Sequence, residues 1–142
     1  MSNWKNAERQ TAKILGGTRR VRINYSESCE DVHHTVFAIE VKYGKQIPKW
    51  VGRVKLPVFV DGVFILFRLS SMSQAHMATE IKRSKGLGFL IKGLEQARSY
   101  GNKIPILCMK PPQYRDLIGC MYITDWVLLV LNNSLSAYRC EG

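Results

Sequence analysis

Three side chains with complementary chemistry meet in one short stretch. Glu40 and Lys42 stand two apart at the end of the apolar run Val36-Phe37-Ala38-Ile39, and Asp31 precedes Glu40 by eight intervening residues. Hydrolysis of a phosphodiester requires a deprotonated water, a neutralised transition state and a stabilised leaving oxygen, and a magnesium ion assists all three. Magnesium takes hard oxygen donors in octahedral geometry and needs only one or two protein carboxylates. Asp31 and Glu40 fit that role, and the Val41 carbonyl could add a donor. Lys42 would steady negative charge at the attacking water or the scissile phosphate. By itself Asp-x8-Glu-x-Lys is short, and a surface salt bridge on a strand is the plain alternative.

For the pair to act together, a strand must carry it. Side chains alternate faces along a strand, so Glu40 and Lys42 project from one side while Ile39 and Val41 project towards a core. The residues before this strand supply further elements. Positions 3 to 15 read as a helix with Trp4, Ala7, Ala12, Ile14 and Leu15 on its apolar face, ended by Gly16-Gly17. Glu8 lies on it among Lys5, Arg9 and Lys13, and on pattern alone reads as a solvated charge. Thr18 to Asn24 reads as a strand, with Arg20 and Arg22 on one face beside Arg19. These arginines could grip phosphates or form an exposed face.

Beyond the motif, Lys45 and Lys49 flank a Gly44/Pro48-broken segment with Tyr43 and Trp50, a mixture of positive charge and stacking surface suited to nucleic acid. Leu56 to Leu69 reads as a hairpin around an Asp61-Gly62 turn, apolar on both faces. Residues 70 to 80 read as a helix start or a loop, and Lys82, Arg83 and Lys85 form a basic patch. Leu87 to Tyr100 has helical spacing of Leu87, Leu90, Ile91, Leu94 and Ala97. Two strands follow, Ile104 to Lys110 and Gly119 to Ile123. Trp126 to Leu131 reads as a short strand or helix turn, and the tail over 132–142 as loose.

The chain has 142 residues, with 21 Lys and Arg against 11 Asp and Glu, a net charge of +10. That size suits one domain with its own core, and that charge suits an anionic partner, nucleic acid being the commonest. The cysteines Cys29, Cys108, Cys120 and Cys140 form no C-x-x-C pair, which speaks against structural zinc and for reduced thiols in a cytoplasmic protein. The opening residues are polar, so no signal peptide is expected, and no apolar run is long enough to span a membrane.

Several segments together resemble the PD-(D/E)xK nuclease superfamily, especially its small phage and archaeal members similar to Holliday-junction resolvases. They are Trp4 to Arg9, Leu15 to Val21, Asp31 to His34, Phe37 to Tyr43, Ile47 to Trp50 and Gly93 to Ala97, with Ala-Ile-Glu-Val-Lys the most specific. The resemblance implies a restriction-endonuclease-like α/β core: a central mixed β-sheet of about four or five strands flanked by helices. It implies catalytic roles for Asp31, Glu40 and Lys42, metal assistance from Glu8 and a place near the phosphate for Gln96. It further implies Mg2+, with Mn2+ as a substitute, DNA as partner and a homodimer. Glu30 stands where the motif has proline. The region of about 52–86 is an inserted hairpin that compact relatives lack, and its two apolar faces suggest a dimer contact. A junction resolvase and a sequence-specific homing-type endonuclease are both compatible with this site. The rival from another class is a DNA-binding module on a decayed nuclease fold, and RNA offers the same phosphodiester chemistry.

Overall fold

The motif strand runs through the middle of the molecule. It is β3, Phe37–Tyr43, and its residues alternate between two cores. Phe37, Ile39 and Val41 belong to one buried cluster. Ala38, Glu40 and Lys42 face the other side. In the computed structural model, which describes residues 3–19, 32–83 and 85–131, the protein is α/β, with one mixed sheet flanked by helices.

The other strands are β1 (Thr18–Arg19), β2 (Val32–His33), β4 (Val58–Val60), β5 (Phe64–Arg68), β6 (Thr79–Ile81), β7 (Ile104–Lys110) and β8 (Ile118–Tyr122). Their order across the sheet is β1-β2-β3-β7-β8-β5-β4-β6. β3 lies parallel to β7 along its whole length, from Phe37 against Ile104 to Tyr43 against Lys110. A parallel pair needs a crossover, and helix α2 (Leu87–Arg98) provides it. Helix α1 (Asn3–Leu15) covers the opposite face, with Ala7, Ala12 and Leu15 packed on Phe37, Ile39 and Val41. Helix α3 (Ile123–Leu131) adds Trp126 and Leu129 to that layer.

Two expectations change here. The sheet is larger than four or five strands, and the hairpin is the reason. β4 and β5 are joined by the three residues Asp61-Gly62-Val63, with Asp61 and Gly62 at positive φ (53° and 68°), the left-handed conformation that such tight turns use. The hairpin is not an appendage, because β5 pairs antiparallel with β8 from Phe64–Tyr122 to Arg68–Ile118 and so continues the central sheet. Its two apolar faces are both consumed within the chain. Phe64 and Leu66 join the α2-side core with Val58 and Val60, while Ile65 and Phe67 join the α1-side core. Phe59 meets Trp126 of α3 edge to face, with centroids 5.8 Å apart. The apolarity that suggested a dimer contact is therefore explained by burial in one chain.

Residues 70 to 80 are neither a helix start nor a plain loop. Leu69–Met77 forms kinked 3-10 turns that bury Leu69, Met72 and Ala75, and Thr79–Ile81 is β6. The segment from Trp126 to Leu131 is helical, the larger part of α3. Cys108 and Cys120 are buried in opposite cores. Cys29, Cys140 and the expected loose tail lie outside the described residues.

Local chemistry sets where α1 meets the motif strand. Gly16 takes a positive φ of 77°, and the Gly17 amide bonds back to the Ala12 carbonyl at 2.9 Å, closing the helix with a left-handed cap. His34 then joins helix to strand. Its Nε2 lies 2.9 Å from the Leu15 carbonyl, while Nδ1 accepts the Val36 and Phe37 amides at 3.0 and 3.1 Å. With Nδ1 accepting, Nε2 carries the proton and donates it to Leu15. Burial lowers the His34 pKa from its ordinary 6.5, with Lys103 and His33 acting in the same direction and the Leu15 bond opposing.

Candidate active site

Glu40 is 2% exposed. A buried carboxylate is costly unless its oxygens find donors, and one donor comes from the turn that ends α2. The Tyr100 hydroxyl donates to Glu40 Oε2 at 3.1 Å. The Gln96 amide donates to the Tyr100 oxygen at 3.2 Å, and the Lys42 ammonium donates to Gln96 Oε1 at 3.4 Å. Lys42 Nζ also stands 3.9 Å from Glu40 Oε2, which closes the ring. Every hydrogen bond in it points the same way, from ammonium through amide and phenol to carboxylate, so each polarises the next.

Simple geometry builds this ring. Residues two apart on a strand share a face at about 7 Å. Residues four apart on a helix share a face at about 6 Å. Glu40 and Lys42 therefore match the spacing of Tyr100 and Gln96, provided helix and strand run in opposite directions. They do, because α2 is the return leg between parallel β3 and β7. Gly93 sets the approach, since a Cβ there would lie 2.8 Å from both methyl carbons of Leu107 on β7. Leu90, Leu94 and Ala97 are fully buried beneath the helix.

Gln96 is exposed, and Tyr100 and Lys42 are half-buried, so the ring's outer members meet solvent while Glu40 sits beneath them. Glu8 approaches from the other face. It is 7% exposed, not the solvated charge its neighbours suggested. The Leu15–His34 bond holds the end of α1 at the start of β3, and Gln10 accepts from Lys110 at 2.7 Å at the far end of β7. α1 is thus antiparallel to β3. Glu8 lies two helical turns before Leu15 on that helix. Along the edge of β3 away from β7, the pairing of the described residues ends with Val32 against Ile39.

Asp31, Arg20 and Arg22 lie outside the described residues, as does the side chain of Arg19 at the end of β1. Among the described residues, no three His, Cys, Asp or Glu side chains gather to hold a metal ion. Glu40 and the Val41 carbonyl are the described members of the expected donor set. Both offer hard oxygen, as magnesium requires, and a magnesium site needs only one or two protein carboxylates. Lys45, Lys49, Lys82, Arg83 and Lys85 are exposed, and none of them enters the ring. His76 is exposed on the 3-10 segment with Nδ1 3.1 Å from the Ser73 carbonyl.

The sequence reading missed Tyr100, which it took only as the end of a helix. The signal was available: Gln96 and Tyr100 are four apart, hence on one helical face. Arg53, exposed beside Trp50, was also passed over.

No helix among the described residues is long and apolar enough to cross a membrane. Compared with models of protein families, with curated proteins and with solved structures, the chain matches none.

Proposed function

We propose that the chain is a magnesium-dependent DNA endonuclease of the PD-(D/E)xK type on a restriction-endonuclease-like core, cutting phosphodiester bonds by hydrolysis. One observation carries the reading: a buried glutamate and a half-buried lysine, two apart on a central strand, are held in one directed ring by side chains of the crossover helix and of the turn that ends it. Such an arrangement fixes a carboxylate and a cation at one place before any substrate arrives, which is how preorganised electrostatic catalysis is built. The net charge of +10 supports a polyanionic substrate.

In this mechanism Glu40, Asp31 and the Val41 carbonyl would hold Mg2+ or Mn2+, with Glu8 assisting from α1. The metal when bound supplies Lewis acidity and an activated water. Tyr100 keeps Glu40 oriented by donating to one carboxylate oxygen. Lys42 presents its ammonium to the nonbridging oxygens of the phosphate or to the attacking water. Gln96 orients Lys42 and offers its amide, at the solvent side, to the same phosphate. Val32 follows Asp31 in the chain and pairs with Ile39, which precedes Glu40, and that adjacency supports a joint role for the two acids. A homodimer would supply two such sites for the two strands of a duplex. Four-way junctions, for a resolvase, and long duplex, for a homing-type enzyme, are the substrates to compare.

The test is a nicking assay on plasmid, four-way junction and linear duplex with and without Mg2+, using the wild type, Lys42→Met and Glu40→Gln. Metal-dependent cutting lost in both variants is expected. A wild type that binds these DNAs and cuts none of them with either metal would leave only a binding module.

A further inference from the structure

Beyond the C-terminal end of β3 lies a cleft of about 520 Å³, walled by the turn that carries Pro48 to Val54 and by the segment leading into α2. Four cationic side chains line it, Lys49, Arg53, Arg83 and Lys85, and its described lining contains no acid. Its floor is Trp50. The indole Nε1 donates to the Lys85 carbonyl at 2.9 Å, and the Arg83 guanidinium lies over the ring at 5.6 Å from its centroid. The two walls touch at Gly86, where a Cβ would come 2.8 Å from Pro48 and 2.9 Å from the indole nitrogen. The cleft is thus built, not a chance gap between mobile lysines.

Four cations in one concavity select an anion. An indole among them selects more narrowly. In a duplex the base faces are stacked on one another, so a duplex would present only phosphates to this cleft. An unpaired strand presents phosphates and free base faces together, and proteins hold such strands with cationic grooves and aromatic platforms. The cleft also has a fixed relation to the ring. Gly86 and Gln96 are ten residues apart along the α2 segment, about 15 Å at helical rise. That span corresponds to about four nucleotides of helical strand.

We propose that this cleft binds an unpaired nucleic-acid segment, with phosphates on Lys49, Arg53, Arg83 and Lys85 and a base on Trp50. Cutting then falls about four nucleotides away, beside a junction of single and double strand. The position of the cut rests on the nuclease reading; the binding does not.

Binding is measured in EDTA by fluorescence anisotropy, with labelled oligothymidylate, oligouridylate and a duplex of equal length. The wild type binds the single strands more tightly than the duplex. Trp50→Leu, which keeps apolar bulk but no aromatic face, weakens single-strand binding roughly tenfold and duplex binding less than about twofold. Trp50→Phe, which keeps a ring, stays within about threefold of the wild type. Arg53→Glu, on an exposed side chain, weakens all three. The comparison of thymidylate with uridylate assigns the strand chemistry. Equal losses for single strand and duplex in Trp50→Leu, or no loss in either, overturn the proposal. If these binding results hold while plasmid and junction remain uncut with Mg2+, the cleft stands and the nuclease reading fails. If cutting occurs and Trp50→Leu binds like the wild type, the reverse is true.

Discussion

Helix α2 and the turn that ends it carry two clusters made of similar parts. On one side Tyr100, Lys42 and Gln96 surround Glu40. On the other, the Tyr122 hydroxyl donates to Glu95 Oε2 at 3.3 Å, Arg98 stands 3.5 Å from the same oxygen, and its guanidinium lies over the Tyr122 ring at 5.2 Å. Each has a carboxylate, a phenol and a cation. They differ in where the carboxylate sits. Glu40 has a side chain 3% exposed, whereas that of Glu95 is 50% exposed. Water can replace any partner of Glu95, so that cluster is an adjustable strap between α2 and β8. The Glu40 carboxylate itself is shielded from water, so its cluster holds charge in place at a cost in desolvation. Similar chemistry thus gives a surface contact in one place and a candidate catalytic centre in the other.

The comparison can be broken in order of effect. Lys42→Met should lower Mg2+-dependent cutting by a hundredfold or more, roughly the effect of removing one preorganised charge donor, while Arg98→Met leaves the initial rate within about twofold. Tyr100→Phe should cost about 1–3 kcal/mol in urea-unfolding stability, because a buried carboxylate loses one of its donors. Cutting should fall with it. Gly93→Val pushes α2 off Leu107 and should lower stability by about 1–3 kcal/mol, with a lowered Tm as the readout. Tyr122→Phe and Glu95→Ala should each change stability by less than about 1 kcal/mol, since exposed pairs contribute little. A large loss in the last pair would erase the distinction between the clusters.

His34 gives a pH-dependent check on the element that carries Glu40. Burial lowers its folded pKa below the ordinary 6.5, so in the window beneath 6.5 the unfolded chain takes up the proton first. The stability it confers is complete above that value and declines as pH falls through the folded pKa. The imidazolium could no longer accept the Val36 and Phe37 amides at Nδ1. Thermal unfolding from pH 8 to pH 5 should show a falling Tm, and His34→Gln should flatten that slope.

Much of this architecture is legible in the residues. The alternation of Phe37, Ile39 and Val41 against Glu40 and Lys42 announces a strand with one face in a core, and Gly16-Gly17 announces the end of α1. The spacing of Leu90, Leu94 and Ala97 announces a helix that buries one face. What was not legible is pairing across distance. Nothing local to Phe64-Ile65-Leu66-Phe67 says that β8 is its neighbour, and an apolar run that looks like a docking surface is equally a central strand. The burial of Glu8 was hidden by three flanking cations. Tyr100 was hidden because a tyrosine before a glycine reads first as a helix end.

The ring joins residues 40–42 to residues 96–100, and the whole hairpin excursion lies between them in the chain. Its exposed Asp61-Gly62 turn is a point where the polypeptide can be opened without cutting a strand. A chain divided there leaves Glu40 and Lys42 on one fragment and Gln96 and Tyr100 on the other. Neither half carries a complete centre. Reconstituted activity would then rise with fragment concentration, and the protein would serve as a reporter of two polypeptides brought together.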